Sequence, residues 1–239
     1  MAKPSIKRST LFKNRAATTA LTAALSMASY CIAMPTVSAE PSFTANLGIT
    51  SNYVFRGQTQ SDDGIAVQGG VDYTHETEFY VGAWGSTVDA KNNGNGGGLE
   101  IDLYAGWAHS WDDFGIDIGY ITYEYTDSNF SEGASEIYVG FDWGPAGITY
   151  YEGSDDNPGA SDYNYIDVGL DIEMVDDVLL SFHFGRLSPD TGSSTNDFKV
   201  EASKNILDFD VSLALTYEDN ADPKKETELF LTVKKSFDL

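Results

Sequence analysis

Residues Leu99–Trp111 read LEIDLYAGWAHSW. Six of the seven odd-numbered positions in this stretch are apolar, and the even-numbered positions between them include Glu100 and Asp102. Side chains of a β-strand point alternately to its two faces. The stretch therefore predicts a strand with one apolar face and one face that carries carboxylates.

The same period of two recurs along the chain after residue 40, and no segment predicts a helix. Together with 99–111, the repeats make about twelve strands. The clear segments are 43–49, 65–73, 114–120, 137–143, 166–172, 209–217 and 229–233, and the weaker ones are 78–87, 146–151, 178–186 and 197–204.

The connections between these segments alternate in length. Short links fall at 75–78, 111–114, 144–147, 175–177 and 206–208, and longer polar links at 58–63, 89–98, 127–133, 152–162, 188–196 and 218–225. Short turns at one end and long loops at the other are typical of bacterial outer-membrane barrels. Since hydrocarbon offers no partners to backbone N–H and C=O groups, strands cross a bilayer only as a closed barrel. We therefore predict an all-β protein, a closed antiparallel transmembrane β-barrel with short periplasmic turns and longer extracellular loops. A secreted sandwich or jelly roll with Gly- and Asn-rich turns is the alternative.

Aromatic side chains collect near the strand ends, where an outer-membrane barrel has its two girdles at the lipid–water boundary. We expect this role for Tyr53, Phe55, Trp107, Trp111, Tyr123, Tyr125, Phe141, Trp143, Tyr150, Tyr151, Tyr163 and Tyr165. The last segment alternates from Leu229 through Phe237 to Leu239, interrupted only by Lys235, and is similar to the final strand of many outer-membrane barrels.

The first 39 residues have the order of a secretory signal peptide. Five basic residues lie within the first fifteen, an apolar stretch covers 16–34, and Val37-Ser38-Ala39 offers a small-residue cleavage site. A transmembrane anchor is the alternative, which three threonines and Pro35 in this region disfavour. We predict residues 1–39 as a signal peptide cleaved after Ala39, and residues 40–239 as one barrel domain in the bacterial outer membrane.

Charge and cysteine content exclude several classes of protein. The 239 residues include 14 Lys and Arg against 37 Asp and Glu, a formal net charge of −23, and loss of the five basic residues of the signal takes it to −28. Because phosphate contacts need a basic face, this chain is no nucleic-acid binder. The single cysteine, Cys31, excludes a disulfide scaffold and any multi-cysteine metal site.

If the apolar faces contact lipid, the alternate faces line the interior, and the charged side chains there are mostly acidic. These candidates for pore lining are Asp72, Glu100, Asp102, Asp117, Asp142, Asp167, Asp171, Glu201 and Asp210, with Arg56, Lys199 and Lys234 as the bases. Carboxylates around a pore favour cations. The predicted function is a porin-like outer-membrane channel for passive diffusion of small hydrophilic solutes, with a cation preference.

A second interpretation of the same residues stays open. The acids can solvate a polar interior or pair with the few bases, and a small barrel can be filled by its own side chains. In that case the protein is a closed structural or adhesive barrel whose acidic loops bind a partner.

Arg56 is one of two arginines after residue 40. Alternation with Thr50, Asn52 and Val54 predicts that it faces inward near the extracellular end of the first strand. There it either forms a constriction by bidentate pairing with a carboxylate or serves as a structural salt bridge. Gly57 next to it lets the chain bend out of the strand.

The acidic loops suggest divalent cations but match no established site. Asp62-Asp63, Asp155-Asp156-Asn157 and Asp219-Asn220-Asp222 offer oxygen ligands, yet none fits the twelve-residue EF-hand loop. Residues 91–98 lack the GK[ST] of a phosphate loop. We predict no metal site and no cofactor, and solvated loop tips that divalent ions bridge to lipopolysaccharide.

An enzyme needs a nucleophile and a base. The only histidines are His75, His109 and His183, and Ser110 beside His109 points to the opposite face of its strand. There is no G-x-S-x-G motif. We therefore predict no enzyme, and an outer-membrane lipase or protease is the remaining alternative.

The opening of the predicted barrel domain resembles the TorF family of porins. The residues that carry the resemblance are Ser51–Gly57 (SNYVFRG), Gln58–Gln60 (QTQ), Ala66–Gly70 (AVQGG) and Phe79–Ser86 (FYVGAWGS). The resemblance is strongest over 43–90 and extends in layout to the C-terminus. It implies an outer-membrane β-barrel of porin type and no catalytic residues.

Overall fold

The structure is a computed structural model that describes residues 40–89, 97–126, 133–155, 160–219 and 227–239. The predicted signal peptide, including Cys31, lies outside the described residues, as do parts of the predicted loops: 91–96, Asp156-Asn157, Asn220 and Asp222. Within the described ranges, no helix has the length and apolar character needed to cross a membrane.

The described part of the chain contains fourteen strands. They are β1 Ser42–Thr50, β2 Val54–Phe55, β3 Gln58–Thr59, β4 Ala66–Thr74, β5 Phe79–Asp89, β6 Gly97–Trp111, β7 Phe114–Tyr125, β8 Ala134–Trp143, β9 Ala146–Asp155, β10 Tyr163–Glu173, β11 Leu179–Pro189, β12 Thr195–Ile206, β13 Phe209–Glu218 and β14 Thr227–Asp238. A 3-10 turn, Val175–Asp177, joins β10 to β11.

Twelve of these strands form one closed antiparallel barrel. From β4 to β14 each strand pairs with the next one along the chain, and β1 pairs with β4 on one side and with β14 on the other. The closing register runs from Thr44 opposite Asp238 to Thr50 opposite Thr232. The predicted fold class and strand number are confirmed, and the sandwich alternative is wrong. The two remaining strands, β2 and β3, pair only with each other.

The two faces of the barrel wall have opposite chemistry. Outward positions carry apolar side chains that are exposed on the outer surface, such as Leu47 (58% exposed) and Leu103 (50% exposed). Inward positions carry buried polar groups, with Asp102 0% and Glu136 1% exposed. A protein that folds in water alone would place these residue types the other way round, so the wall is built for a surrounding apolar solvent.

The turns agree with the predicted alternation of loop length. At one end, β6 and β7 are joined by two residues, 112–113, and β12 and β13 by Leu207 and Asp208. Leu207 and Asp208 have φ of 53° and 65°, the positive values that a tight type I′ hairpin requires at both central positions. The strand ends that the long links join lie at the other end of the barrel.

Inward glycines allow tyrosine rings to lie flat against the wall. A Cβ at Gly82 would lie 2.4 Å from the ring of Tyr104, its cross-strand partner. Gly119 stands in the same relation to Tyr138. Glycine is needed here because a neighbouring ring occupies the volume that any side chain would take.

A row of aromatic side chains lies on the outside of the barrel at its short-turn end, where the sequence predicts one of the two girdles. On the outside at the short-turn end, consecutive rings of Trp107, His109, Trp111, Phe114 and Trp143 lie 5.7–6.3 Å apart in a continuous stacked row.

The girdle prediction is wrong for several tyrosines. Tyr53, Tyr123 and Tyr165 are buried inside the barrel. The two on strands share the inward register of the acids, and all three hydroxyl groups donate to carboxylates. A polar interior therefore suits a tyrosine as well as a lipid–water boundary does.

Candidate functional site

The segment between β1 and β4 folds into the barrel. We call residues 51–65 the inner hairpin, because within it β2 and β3 pair through Val54 with Thr59 and Phe55 with Gln58. Arg56 and Gly57 are its two central residues, with φ of 48° and 83°, which is the pattern of a type I′ turn.

The position predicted for Arg56 is wrong in detail. β1 ends at Thr50, and Arg56 lies at the turn of the inner hairpin rather than on the first barrel strand. A period of two counted from Thr50 continues to Arg56, although the barrel strand ends at Thr50. Gly57 allows the hairpin turn, because its φ of 83° is one that residues with a side chain rarely adopt. The Arg56 side chain lies inside the barrel, within hydrogen-bond distance of Glu136.

The inner hairpin touches the wall on several sides. A Cβ at Gly57 would lie 2.8 Å from the Cβ of Glu218 on β13. Gln58 Nε2 donates to Glu218 Oε1 at 2.9 Å. Across the interior, the hydroxyl of Tyr53 donates to Glu100 Oε1 on β6 at 3.1 Å. The hairpin therefore spans the lumen.

Arg56 forms a bidentate ion pair with Glu136 on β8. Nη1 lies 2.8 Å from Oε1 and Nη2 lies 3.0 Å from Oε2. The hydroxyl of Tyr163 also donates to Oε1, at 2.8 Å, and that of Tyr123 to Oε2, at 2.9 Å. Each carboxylate oxygen thus accepts two hydrogen bonds, and the Glu136 side chain is fully buried.

Aromatic rings enclose the guanidinium group of Arg56. Its Cζ lies 3.9 Å from the ring centre of Tyr165, 5.2 Å from that of Tyr151 and 5.8 Å from that of Tyr163. Burial is the largest single effect and lowers the pKa of Arg56, but the charge and hydrogen bonds of Glu136, with the hydroxyls of Tyr123 and Tyr163, together raise it by more, so this pKa lies well above its ordinary value. We call Glu136 with Tyr123, Tyr151, Tyr163 and Tyr165 the arginine cage.

A histidine network adjoins the arginine cage. His183 Nδ1 lies 3.1 Å from Asp167 Oδ1, and His183 Nε2 lies 2.7 Å from Asp197 Oδ1. The hydroxyl of Tyr165 donates to Asp197 Oδ2 at 3.0 Å. Both ring nitrogens face carboxylates, so a protonated imidazole donates from each of them.

Among the described residues, a second group of acids forms no ion pair with Lys, Arg or His. Asp102 is 0% exposed, and in the described chain neither of its carboxylate oxygens has a hydrogen-bond partner. The same holds for Oε2 of Glu100. Tyr53 and Trp84 pack nearby with ring centres 5.5 Å apart. We call Glu100 and Asp102 the carboxylate pair.

The structure places all of the predicted pore-lining residues inside the barrel. Buried on the inward face of the wall are Glu100, Asp102, Asp117, Asp167, Lys199 and Glu201, and half-buried on the same face are Asp72, Asp142, Asp171, Asp210 and Lys234. Arg56 lies half-buried on the inner hairpin. Arg56 pairs with none of the predicted acids. Its partner and several other inward residues were missed by the sequence reasoning: Glu136, His183, Asp197, Glu218 and Glu228.

A cavity of about 360 Å³ lies next to the inner hairpin, toward the long-loop end. Its lining mixes aromatic, amide and charged groups: Phe55, Arg56, Gln58, Gln60, Asp155, Ser161, Tyr163, Leu187 and Pro189. We call it the vestibule. In the ranges that the structure describes, no three or more His, Cys, Asp or Glu side chains group as a metal site.

A closed antiparallel barrel of twelve strands, apolar outside and polar inside, is the architecture of outer-membrane β-barrel proteins. The chain is similar in fold to solved structures. The KdgM porin matches with a TM-score of 0.58 and 9% identity, over 81% of this chain and 99% of that one. The KdgM porin in complex with disordered oligogalacturonate matches with a TM-score of 0.55 and 9% identity, over 82% and 99%. The outer membrane phospholipase A from Escherichia coli matches with a TM-score of 0.47 and 12% identity, over 80% and 92%.

The chain belongs to the Gcw_chp family, whose model matches residues 35–238 and is described as a bacterial protein of unknown function. No curated protein matches it in sequence. The family that matches carries a name other than TorF, so the resemblance to TorF porins stays a prediction. At 9% identity the solved porins show the fold of this chain and nothing finer.

Proposed function

We propose that this protein is an outer-membrane channel for passive diffusion of small hydrophilic solutes, with a preference for cations. The observation that carries the proposal is the charge of the interior. Against fourteen buried or half-buried acids of the inward register, the described strands and inner hairpin supply three inward Lys and Arg side chains, Arg56, Lys199 and Lys234. The fourteen are Asp72, Glu100, Asp102, Asp117, Glu136, Asp142, Asp155, Asp167, Asp171, Asp197, Glu201, Asp210, Glu218 and Glu228.

An interior of this charge attracts cations and repels anions, because lumen charge acts on a permeating ion at short range in a confined space. The KdgM porin, whose fold is similar, has been solved with oligogalacturonate, a polyanion. A polyanion in the present lumen would face many like charges. We therefore propose a different class of solute for this chain, neutral or positively charged.

The inner hairpin narrows the path. Asp102 and Glu136 lie on the wall but are almost inaccessible to water, so passage of a solute requires the hairpin to shift. The same observation favours a second candidate function, a closed structural or adhesive barrel whose acidic loops bind a partner. Ion conductance separates the two candidates.

The test is a planar bilayer recording with a tenfold gradient of potassium chloride. The channel proposal expects current steps with a reversal potential on the cation-selective side. Replacing Glu100, Asp102 and Asp142 together by their amides should move that potential toward zero by reducing lumen charge. An unchanged potential would contradict a charge-lined path, and silence from a correctly folded barrel would favour the closed candidate.

A matched control removes three charges outside the lumen. Glu124 and Glu152 are exposed on the outward face, and Asp113 is exposed in a turn. Their joint replacement by amides lowers the net charge of the protein equally but should leave the reversal potential in place.

The proposal extends to how the protein reaches its membrane. We propose that residues 1–39 are removed after Ala39 and that the barrel lies in the bacterial outer membrane, with acidic loops near lipopolysaccharide. We also propose that the chain is related to the TorF porins and that it catalyses no reaction. N-terminal sequencing of the protein from membranes tests the cleavage site, since a first residue other than Glu40 contradicts it.

A further inference from the structure

We propose that the arginine cage is a binding site for small solutes that carry a guanidinium group, and that Arg56 is its resident occupant. The inference deepens the proposed function, on which it rests for the passage of such solutes across the membrane. Binding to the cage is a separate property and is measured separately.

The arginine cage belongs to the barrel wall and not to the hairpin that fills it. Its side chains come from β7, β8, β9 and β10, four consecutive strands of the closed sheet. Gly153 on β9 is the cross-strand partner of both Glu136 and Tyr163. A Cβ at Gly153 would lie 2.3 Å from the Tyr163 ring, so this glycine lets the ring pass over it toward Glu136. The cage therefore persists when the inner hairpin moves.

The cage is matched to a guanidinium group in shape and charge. Glu136 presents both carboxylate oxygens to the two Nη atoms, at 2.8 and 3.0 Å, and Tyr165 presents its ring face at 3.9 Å. A guanidinium group is planar, so it can donate two parallel hydrogen bonds from one edge while an aromatic ring stacks on its face. An ammonium ion is a compact point charge and cannot make both contacts in this way.

Without a cation in the cage, the buried carboxylate of Glu136 would be destabilised, and binding of a cation would restore its stability. Without Arg56, the fully buried Glu136 keeps only the hydroxyl donors of Tyr123 and Tyr163. A buried carboxylate with no opposite charge carries a large desolvation penalty. A guanidinium solute of suitable size removes this penalty by restoring the lost ion pair and hydrogen bonds.

The inner hairpin is a short segment that lies next to a route for solutes. Its strands share two residue pairs, Val54 with Thr59 and Phe55 with Gln58, whereas a barrel pair such as β6 and β7 shares twelve. Hydrogen bonds from Gln60 N–H to the Tyr53 carbonyl, at 2.6 Å, and from Tyr53 N–H to Ser61 Oγ, at 2.8 Å, hold the hairpin together as a unit. The vestibule is lined by Arg56 and Tyr163, so a solute that enters it meets the resident guanidinium and one wall of the cage together.

The carboxylate pair extends the same chemistry to a second place. Glu100 and Asp102 lie with Tyr53 and Trp84, again carboxylates beside aromatic rings. Three of their oxygens have no hydrogen-bond partner in the part of the chain that the structure describes. A cation that leaves the arginine cage thus finds a second acidic and aromatic site in the same lumen.

The test is binding of methylguanidinium to the folded barrel in detergent micelles. Isothermal titration calorimetry measures this binding, with methylguanidinium at millimolar concentrations. Arg56→Ala should bind methylguanidinium at least tenfold more tightly than the wild type, because its cage is free. Arg186→Ala removes the other arginine, which is exposed on the outward face, and should bind like the wild type. Adding Glu136→Gln to Arg56→Ala should abolish the gain.

Three results would overturn the assignment. They are equal affinity of the wild type and Arg56→Ala, equal affinity for methylguanidinium and tetramethylammonium, and a gain that survives Glu136→Gln. Arg56→Lys is the second variant if Arg56→Ala does not fold. It keeps the charge but loses the bidentate fork, and methylguanidinium should compete with it better than with the wild-type arginine. Equal competition would count against the cage.

Bilayer recordings keep the two proposals apart. Methylguanidinium binding by Arg56→Ala together with absence of any current refutes the channel and supports the cage. Currents that methylguanidinium does not alter in Arg56→Ala, with no calorimetric binding, refute the cage and leave the channel in place.

Discussion

Replacing Leu103 by Arg tests whether the outward face of the barrel meets lipid. Leu103 lies near the middle of β6, points outward and is 50% exposed. In water a half-exposed leucine on a sheet tolerates a charge at small cost. In a bilayer, an arginine at the midplane of a barrel costs about 2–4 kcal/mol.

The size of the effect follows from depth along the strand. Leu99 is four residues toward the long-loop end, which is about 13 Å along a strand at roughly 3.3 Å per residue. With a tilt of about 40°, that separation is about 10 Å in depth, close to the edge of an apolar band roughly 25 Å tall. We therefore expect Leu99→Arg to cost only about 0–1 kcal/mol.

The assay is the free energy of unfolding from phospholipid vesicles in urea, followed by tryptophan fluorescence. Asp102→Asn is the control beside Leu103, because Asp102 faces the interior and its replacement removes a buried charge without touching lipid. Equal losses for Leu103→Arg and Leu99→Arg would refute the depth argument. A larger loss for Asp102→Asn than for Leu103→Arg would refute the assignment of faces.

Three further outcomes follow from the structure. Gly82→Ala should destabilise the barrel by about 1–3 kcal/mol, because its Cβ would overlap the Tyr104 ring, whereas Gly48→Ala, whose nearest neighbours lie at 3.4 Å or more, should be tolerated in the same urea assay. Glu136→Ala should release the inner hairpin, so trypsin should cut after Arg56 in this variant and not in the wild type; resistance in both would contradict the ion pair as the main attachment. The unboiled wild-type protein should migrate on a detergent gel differently from the boiled one, and identical migration would count against a closed barrel.

The fold could be predicted from the sequence because lipid imposes the same rule on every strand. Each crossing must present apolar side chains on one face only, so a local period of two, as in Leu99–Trp111, is repeated around the barrel. The rule does not extend to the inner hairpin. Its residues lie inside the barrel, where none of them contacts lipid. Polar residues such as Asn52 occur there because they form hydrogen bonds with other interior residues. The pattern alone therefore lengthens β1 as far as Arg56.

The candidate site was less predictable. Tyrosine suits a lipid–water boundary and a polar lumen equally, so its type does not assign Tyr123 to one of them. Its register does, because Tyr123 shares the parity of Asp117 on β7. The parity of Ile137 and its outward neighbours likewise assigns Glu136 to the interior, just ahead of the segment where the alternation is clear. Which carboxylate pairs with Arg56 depends on how the hairpin crosses the lumen, and sequence spacing contains no such information.

The pairing of β1 with β14 has a consequence for biogenesis. The first and last barrel strands to leave the ribosome are neighbours, so the cylinder cannot shut until the polypeptide has been made through β14. An intermediate that stops earlier leaves the hydrogen-bonding groups of β1 and β13 open along their length, and acyl chains cannot satisfy them. Insertion of this protein therefore has to wait for its C-terminal residues or be assisted by machinery that shields both open edges.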